Sequence, residues 1–579
     1  MNRRSFLRAL ALAASAGIVP RVGVGAEDDI YDIGRFGNVR VIHITDTHAQ
    51  LTPVHYREPS VNIAVGAMRG RPPHLVGRAF LEEFGIAAGN RGGYAFTFLD
   101  YQEAAQRYGR MGGFAHLKTL IGRLRADVGA GNSLLLDGGD TWQGSGLSVA
   151  LAGADMVDAA NLLGVDAMTG HWEFTYGEKI LRRNLERFRG EFLAQNVFLT
   201  QDAAFNDDAP AFDPASRRVF KPAIIKEAGG RRVGIIGQAF PYVPVAHPKR
   251  FVPDWSFGLR EAELQKLVTR LRETDGADAV LLLSHNGMDA DLKLASRVSG
   301  IDVILGGHTH DGVPAPVIVA NTGGKTLVSN AGSAGKFLAV VDLDIGSKHV
   351  TDVRYTLLPV FPNLIPPDTG MQALIDRMRA PRAAALDEKL AVAGELLYRR
   401  GNFGGPMDQV ICDALRRELD AQIALSPGFR FGSTVLAGEP ITMDDLLSET
   451  AISYPEVYVS EMTGAQLKAV LEDVADNLFN PDPYYQQGGD MVRVGGMDYA
   501  CEPAAAAGSR ISEMTLDAGT PVEAGKRYRV AGWASLEPQA GKPVSDVVAA
   551  YLRSEKTVRP ARRNRVLLKG AADNPGIAE

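Results

Sequence analysis

Cysteine is nearly missing: only Cys412 and Cys501 occur in 579 residues. Two thiols cannot staple a chain of this size, and neither has the spacing of a Cys-based metal site. One disulfide between them stays open, because separation in sequence carries no geometry. A basic excess is also missing, since 62 Lys and Arg face 68 Asp and Glu. That balance argues against bulk electrostatic binding of nucleic acid, so any anionic substrate must be held by a local site. Beyond residue 26 no apolar run is long enough to span a bilayer, which argues against a membrane-embedded protein. What remains is an ordinary globular composition, 45% hydrophobic, at a length suited to two or three domains.

Residues 1–26 read as an export signal rather than fold. A basic start precedes an apolar stretch at 9–19, and Val24-Gly25-Ala26 offers a small-residue cleavage site before Glu27-Asp28-Asp29. Arg3-Arg4-Ser5-Phe6-Leu7 is of the twin-arginine type, with a general secretory signal as the alternative. Export implies a periplasmic mature protein.

From about 38 to 310 one pattern repeats. A short apolar run ends abruptly in polar or Gly-rich residues, and a helix-like segment follows. The runs are VRVIHIT before DTHAQ, SLLL before DGGDTWQGSG, LGVDAMT before GHWEF, VGIIG before QAFPY, AVLLLS before HNGMD, and IDVIL before GGHTH. Such runs suit strands buried on both faces, with helices expected on both sides of the sheet. Segments 148–164, 178–188 and 259–274 show helical apolar spacing. The expected organisation is a layered α/β domain at 27–365 with an insertion at about 50–110. A linker helix at 366–398 and a second α/β, substrate-binding domain at 399–570 follow. Ligands in such sheets collect at strand C-termini.

Those termini carry Asp46-x-His48, Gly138-Gly139-Asp140, His171, Ser284-His285-Asn286 and Gly307-His308-Thr309-His310. Five of the eleven histidines fall there. D-x-H and H-x-H can aim alternate side chains at one centre, and a carboxylate such as Asp140 can bridge two cations. Each piece alone has a bland reading as a hydrogen-bonded core group; the joint pattern does not. Mixed N/O ligation without thiolate fits Mn, Fe or Zn. Two such ions, roughly 3.5–4 Å apart, would bind an oxyanion and activate water.

The order DTH, GGDTWQGSG, G-x-x-EF, SHNG and GGHTH, followed by a separate C-terminal domain, resembles the 5′-nucleotidase type of calcineurin-like metallophosphoesterases. Within it, GHWEFTYG, GQAFPY, NAGSAGKF and LSPGFRFG look like the SoxB sulfate thiohydrolases of periplasmic sulfur oxidation. The resemblance implies that Asp46, His48 and His310 hold one metal, His285 and His308 the other, and that Asp140 bridges. His171 takes a ligand place that Asn fills in nucleotidases. Two divalent ions, Mn²⁺ by family expectation, are implied, with Zn²⁺ or Fe as alternatives. So is a SoxYZ-type carrier protein whose flexible arm bears an S-sulfonated cysteine.

In the nucleotidase pattern a His follows the Asn ligand; here Trp172 stands in its place. An alkoxide leaving group profits from an acid, worth about 10²–10⁴-fold, and indole has only a weak neutral N–H. A sulfur leaving group departs as an anion more easily, since a thiol already has a pKa of about 8.5. Trp172 then shapes the pocket and excludes water, with plain packing at the site rim as the alternative. His171, Trp172 and Arg430 are the candidate catalytic residues. Arg430, in LSPGFRFG, offers a guanidinium fork suited to a sulfonate, or is a surface arginine. Segment 481–499, rich in Tyr, Gln and Gly, suits recognition of a peptide arm or is a Gly-rich hairpin. The 50–110 insertion is expected to help form a narrow substrate channel. A periplasmic 5′-nucleotidase or cyclic-nucleotide phosphodiesterase is the alternative activity, and a non-catalytic carrier-binding protein the second alternative.

Overall fold

The computed structural model describes residues 30–205 and 210–578; the export signal expected at 1–26 lies outside them. The chain forms two units. Among the described residues the first comprises 30–53, 111–142, 152–205 and 210–375, and the second 54–110, 143–151 and 376–578.

The first unit contains two six-stranded mixed sheets. One orders its strands Val350–Pro359, Phe337–Ile345, Val39–Ile44, Ser133–Asp137, Ala167–Met168 and Glu191–Phe192. The other orders Val317–Asn321, Gly324–Asn330, Val303–Gly306, Ala279–Ser284, Arg231–Gln238 and Ala223–Ala228. In the first, two antiparallel pairs at one edge give way to parallel pairing through to Glu191–Phe192; in the second, a parallel centre has an antiparallel pair at each edge. The sequence suggested one sheet under two helix layers. Burial on both faces does not choose between these arrangements, because a second sheet satisfies that demand as well as helices do.

Helix Phe114–Val128 buries Leu117, Leu120, Ile121 and Leu124, an apolar stripe at three- and four-residue spacing, and stops at Gly129. Helix Glu261–Glu273 buries Leu264, Leu267, Val268 and Leu271, with acids in its first turn and arginines in its last. The helix expected across 148–164 is broken. Gly146–Leu151 and Ala154–Leu163 are separate helices, and Ala152 and Gly153 between them take φ of 51° and 77°. A Cβ on Gly153 would meet the Tyr176 ring at 3.0 Å and the Asn184 amide at 3.1 Å.

The second unit has a four-stranded sheet ordered Val457–Thr463, Arg527–Trp533, Ile423–Gly428 and Asp490–Gly495, and two three-stranded sheets. Its core includes Ile423, Leu467, Leu471, Phe479, Met491 and Tyr528. Segment 54–110, read as an insertion of the hydrolase domain, packs in this second unit. Thr434 N–H donates to the His55 carbonyl (2.7 Å), Ile63 N–H to Asn402 Oδ1 (2.6 Å), and Tyr56 Oη to the Arg430 carbonyl (3.0 Å). The linker expected at 366–398 also differs. Helix Thr369–Arg379 buries Met371, Leu374 and Ile375, and Lys389–Ala393 is already a strand of the second unit. Strands Asp490–Gly495 and Met497–Cys501 belong to different sheets, so 481–499 is not a hairpin. Cys412 and Cys501 are buried free thiols, not a disulfide.

Asp490 is buried and faces Arg430, Arg493 and Arg400 at 3.5, 3.2 and 3.8 Å. Burial opposes its charge, yet the three guanidiniums hold its carboxyl down at about 2. A depressed carboxyl gives stability that is complete above its unfolded value of about 4 and lost as pH falls through the folded value. Asp490→Asn is therefore expected to destabilise the protein by about 3–5 kcal/mol at pH 7. It should also flatten the stability change between pH 4 and 2, measured by urea unfolding at stepped pH.

Candidate dimetal active site

The seven ligands expected from sequence converge in the first unit. Asp140, His171, His285 and His308 form one group, and Asp46, His48, Asp140 and His310 another, with the ligand atoms of each group all within 4.8 Å of one another. Asp140 belongs to both. All seven are buried, from 0% exposed at Asp46 and His285 to 8% at His308.

Each follows a parallel strand, and the backbone turns back at once. Asp46, His48, Asp140, His308 and His310 have φ of 50°, 44°, 57°, 74° and 62°. This left-handed region is unfavourable for side-chain-bearing residues, though Asp and His tolerate it better than most. The turns are locked by partners. His48 N–H donates to the Asp140 carbonyl (2.9 Å), and His308 N–H reaches both Asp46 carboxylate oxygens at 3.0 Å. Trp172 N–H donates to Asp140 Oδ1 (2.8 Å). Two glycines keep the centre open: a Cβ on Gly138 would strike Thr45, and one on Gly307 would lie 3.0 Å from both Asp46 Oδ2 and His285 Nδ1.

The imidazoles are oriented. His285 Nδ1 lies 2.7 Å from the Gly138 carbonyl, which makes it the N–H side; Nε2 then faces Asp140 Oδ2 at 3.1 Å. His171 presents Nδ1 to Asp140 Oδ2 at 3.0 Å. His48 Nε2 and His310 Nε2 stand 3.0 Å apart, and His310 Nε2 is 3.3 Å from Asp46 Oδ1. Burial alone would raise both carboxyls, but His171 and His285 hold Asp140 well below the ordinary range, and His285 and His310 lower Asp46. Burial pushes His48 down to about 4, against Asp140. Burial also opposes charge on His285, yet Asp140 and Asp46 outweigh it and lift that group to about 10. The cluster thus demands positive charge. Two carboxylates, five imidazoles and no thiolate fit a pair of divalent ions.

Trp172 opens the 3₁₀ turn Trp172–Tyr176 and is 5% exposed. Its indole meets the His247 ring edge-on, with centroids 4.5 Å apart. Arg430 lies in the second unit. Its Nη2 donates to the Gly489 carbonyl (2.7 Å), and its Nη1 has no hydrogen-bond partner among the described residues.

Sequence reasoning missed three residues. His247 Nε2 is 2.8 Å from His171 Nε2, and the Phe240 ring packs on His171 at 4.0 Å. Both follow the strand Arg231–Gln238, whose polar end was recognisable; His247 stands nine residues beyond it. Glu173 is the third. Its Oε1 accepts from Thr141 N–H (2.8 Å) and Trp142 N–H (3.1 Å), and its Oε2 from His171 N–H (2.8 Å). One buried carboxylate thereby ties together the loops that carry Asp140 and His171. The acid in G-x-x-EF was the available signal.

Residues 397–540 match the family described as 5′-nucleotidase, C-terminal domain. The structure of a Thermus thermophilus sulfate thiohydrolase, SoxB, is similar at 37% identity and a TM-score of 0.87, covering 93% of this chain and 98% of that one. The chain belongs to the SoxB-type branch of the 5′-nucleotidase family. Its relatives are metal-dependent hydrolases. Protein UshA of Yersinia enterocolitica is 24% identical over 506 residues, 76% of this chain and 84% of that protein. The trifunctional nucleotide phosphoesterase YfkN of Bacillus subtilis is 25% identical over 444 residues, 70% of this chain but 29% of its own length. The chain spans about half or less of the length of most curated relatives it matches. Among the described residues no helix is long and apolar enough to cross a membrane.

Glu173→Leu strands three buried N–H groups, each costing about 1–3 kcal/mol. It should lower the thermal midpoint and reduce bound divalent metal measured by elemental analysis. Glu173→Gln, whose carbonyl oxygen keeps the Thr141 and Trp142 contacts, should fall between that variant and the native protein.

Proposed function

We propose that this protein is a periplasmic dimetal sulfate thiohydrolase, exported by a twin-arginine signal. It would act on the thiosulfonate, Cys–S–S–SO₃⁻, that a carrier protein of SoxYZ type bears on a cysteine. The observation that carries this reading is Trp172: a residue with no usable proton directly follows His171 in a buried cluster otherwise complete for two ions. The similarity to the Thermus SoxB over 93% of the chain supports it.

The residues proposed to hold one ion are Asp46, His48 and His310, and the other His171, His285 and His308, with Asp140 shared. Manganese is the proposed metal, with zinc and iron as alternatives. Bound ions supply Lewis acidity toward the sulfonate oxygens and an activated water. The chain's own groups do the rest. The left-handed turns at Asp46, Asp140 and His308 fix the donors before substrate arrives. Arg430, in the second unit, is proposed as an anion-binding residue acting through Nη1, which has no hydrogen-bond partner among the described residues. The reaction forms one S–O bond from water to the sulfonate sulfur and breaks the bond from that sulfur to the sulfane sulfur. Both bonding electrons leave on a cysteine persulfide anion, and the water protons pass to solvent as sulfate forms. That leaving group needs no proton donor at position 172.

Sulfate release from a carrier bearing Cys–S–S–SO₃⁻, followed beside AMP hydrolysis with metal added, tests the reading. Sulfate release is expected from the native chain and should drop at least about 100-fold in His171→Ala, more than loss of an outer-shell partner costs. Trp172→His should raise AMP hydrolysis about tenfold or more, within the range that a general acid supplies. Fast AMP turnover by the native protein, with no sulfate from the carrier, would favour the nucleotidase alternative.

A further inference from the structure

His171 is held on three sides. Its Nδ1 edge faces Asp140 Oδ2 at 3.0 Å and His285 Nε2 at 3.2 Å, which is the interior of the ligand cluster. One ring face lies against Phe240. The remaining nitrogen, Nε2, stands 2.8 Å from Nε2 of His247. If Nδ1 gives its lone pair to a cation, Nε2 must carry the hydrogen, so His247 Nε2 must accept it and hold its own hydrogen on Nδ1. A ligating imidazole commonly meets a carboxylate or a carbonyl at this position. A second imidazole satisfies the same demand without adding negative charge beside Asp140.

His247 is itself fixed. It ends the short helix Val243–Ala246, with its N–H on the Val243 carbonyl (3.0 Å), and Pro248 follows. It is 4% exposed, and the Trp172 indole packs edge-on against it. The residue that replaces the nucleotidase histidine in sequence therefore supports an imidazole arriving from a different loop. We propose that His247 is a positioning residue for the metal centre, setting the tautomer and ring orientation of His171 through the Nε2–Nε2 hydrogen bond, with Trp172 as its buttress. This rests on the dimetal reading above.

The test uses the full mature chain stripped with chelator and titrated with Mn²⁺, read by calorimetry and by the electron paramagnetic resonance of coupled ion pairs. The native protein should bind two ions and show a coupled-pair signal. His247→Leu should weaken one of the two sites by about 10–100-fold, the usual cost of losing such a partner, and lose the coupled signal at limiting metal. His247→Gln, whose side-chain oxygen can accept the same hydrogen, should stay within a few-fold of native. His247→Phe serves the same comparison where leucine packs badly. In a His171→Ala background, His247→Leu should add no further loss. Native binding of two ions together with unchanged affinity in His247→Leu would overturn the inference alone. Equal loss in the glutamine and leucine variants would also overturn it, since general loosening does not distinguish an acceptor. A native chain that binds no ion pair would overturn the dimetal reading and this inference with it.

Discussion

The first unit is organised around one electrostatic demand: two carboxylates, Asp46 and Asp140, are buried together at 0% and 1% exposure. Unpaired buried charge is expensive, and five imidazoles alone answer it only by taking up a proton, as His285 does. Everything near the centre serves that demand. Five of the seven converging residues sit in left-handed backbone, a conformation that costs of order 1–3 kcal/mol each and persists only where surroundings enforce it. The enforcing partners are two backbone carbonyls and one carboxylate: the Gly139 and Asp140 carbonyls receive Asp46 N–H and His48 N–H, while the Asp46 side chain receives His308 N–H. A dication would replace the proton and relieve the charge that these turns concentrate.

The same logic connects Glu173, Trp172 and His247. Glu173 adds a third carboxyl near Asp140, and burial together with Asp140 raises its pKa. It is retained because three N–H donors in two loops require an acceptor there. Trp172 binds Asp140 through its backbone, a contact any residue could make; its side chain is what is particular. An imidazole in its place would put another titratable ring beside the cluster. An indole fills the volume and packs against His247, whose Nε2 lies 2.8 Å from His171 Nε2.

The ligand set was legible in sequence because strands buried on both faces leave polar residues nowhere to stand except at their ends. A histidine after such a run is conspicuous in a chain with only eleven. His247 was not, because it stands nine residues past its strand, behind a Pro-containing turn whose path depends on tertiary packing. Glu173 lay in plain view inside G-x-x-EF, but its role exists only once the Asp140 loop lies alongside. Partition of the apolar strands into two sheets was hidden for a related reason: burial reports that a face is covered, not by what. Segment 54–110 follows Asp46 and His48 closely in sequence, yet its partners are Asn402 and Thr434, contacts across more than 300 residues that no local pattern carries.

The chain has more acids than bases, and the second unit shows how a local surplus of positive groups is built. Arg400, Arg430 and Arg493 surround one carboxylate, Asp490, and Arg399 pairs with Asp408 at 2.7 Å. The nearby Glu449 adds little negative charge, since burial lifts its carboxyl to about 8 despite Arg399. Four guanidiniums therefore crowd around Asp490 and Asp408. Asp490 fixes Arg430 without cancelling the group, and Arg430 Nη1 is left without a hydrogen-bond partner among the described residues. A planar fork already desolvated and already oriented would lose little freedom on meeting an oxyanion, which is the physical basis of the anion-binding role proposed for Arg430.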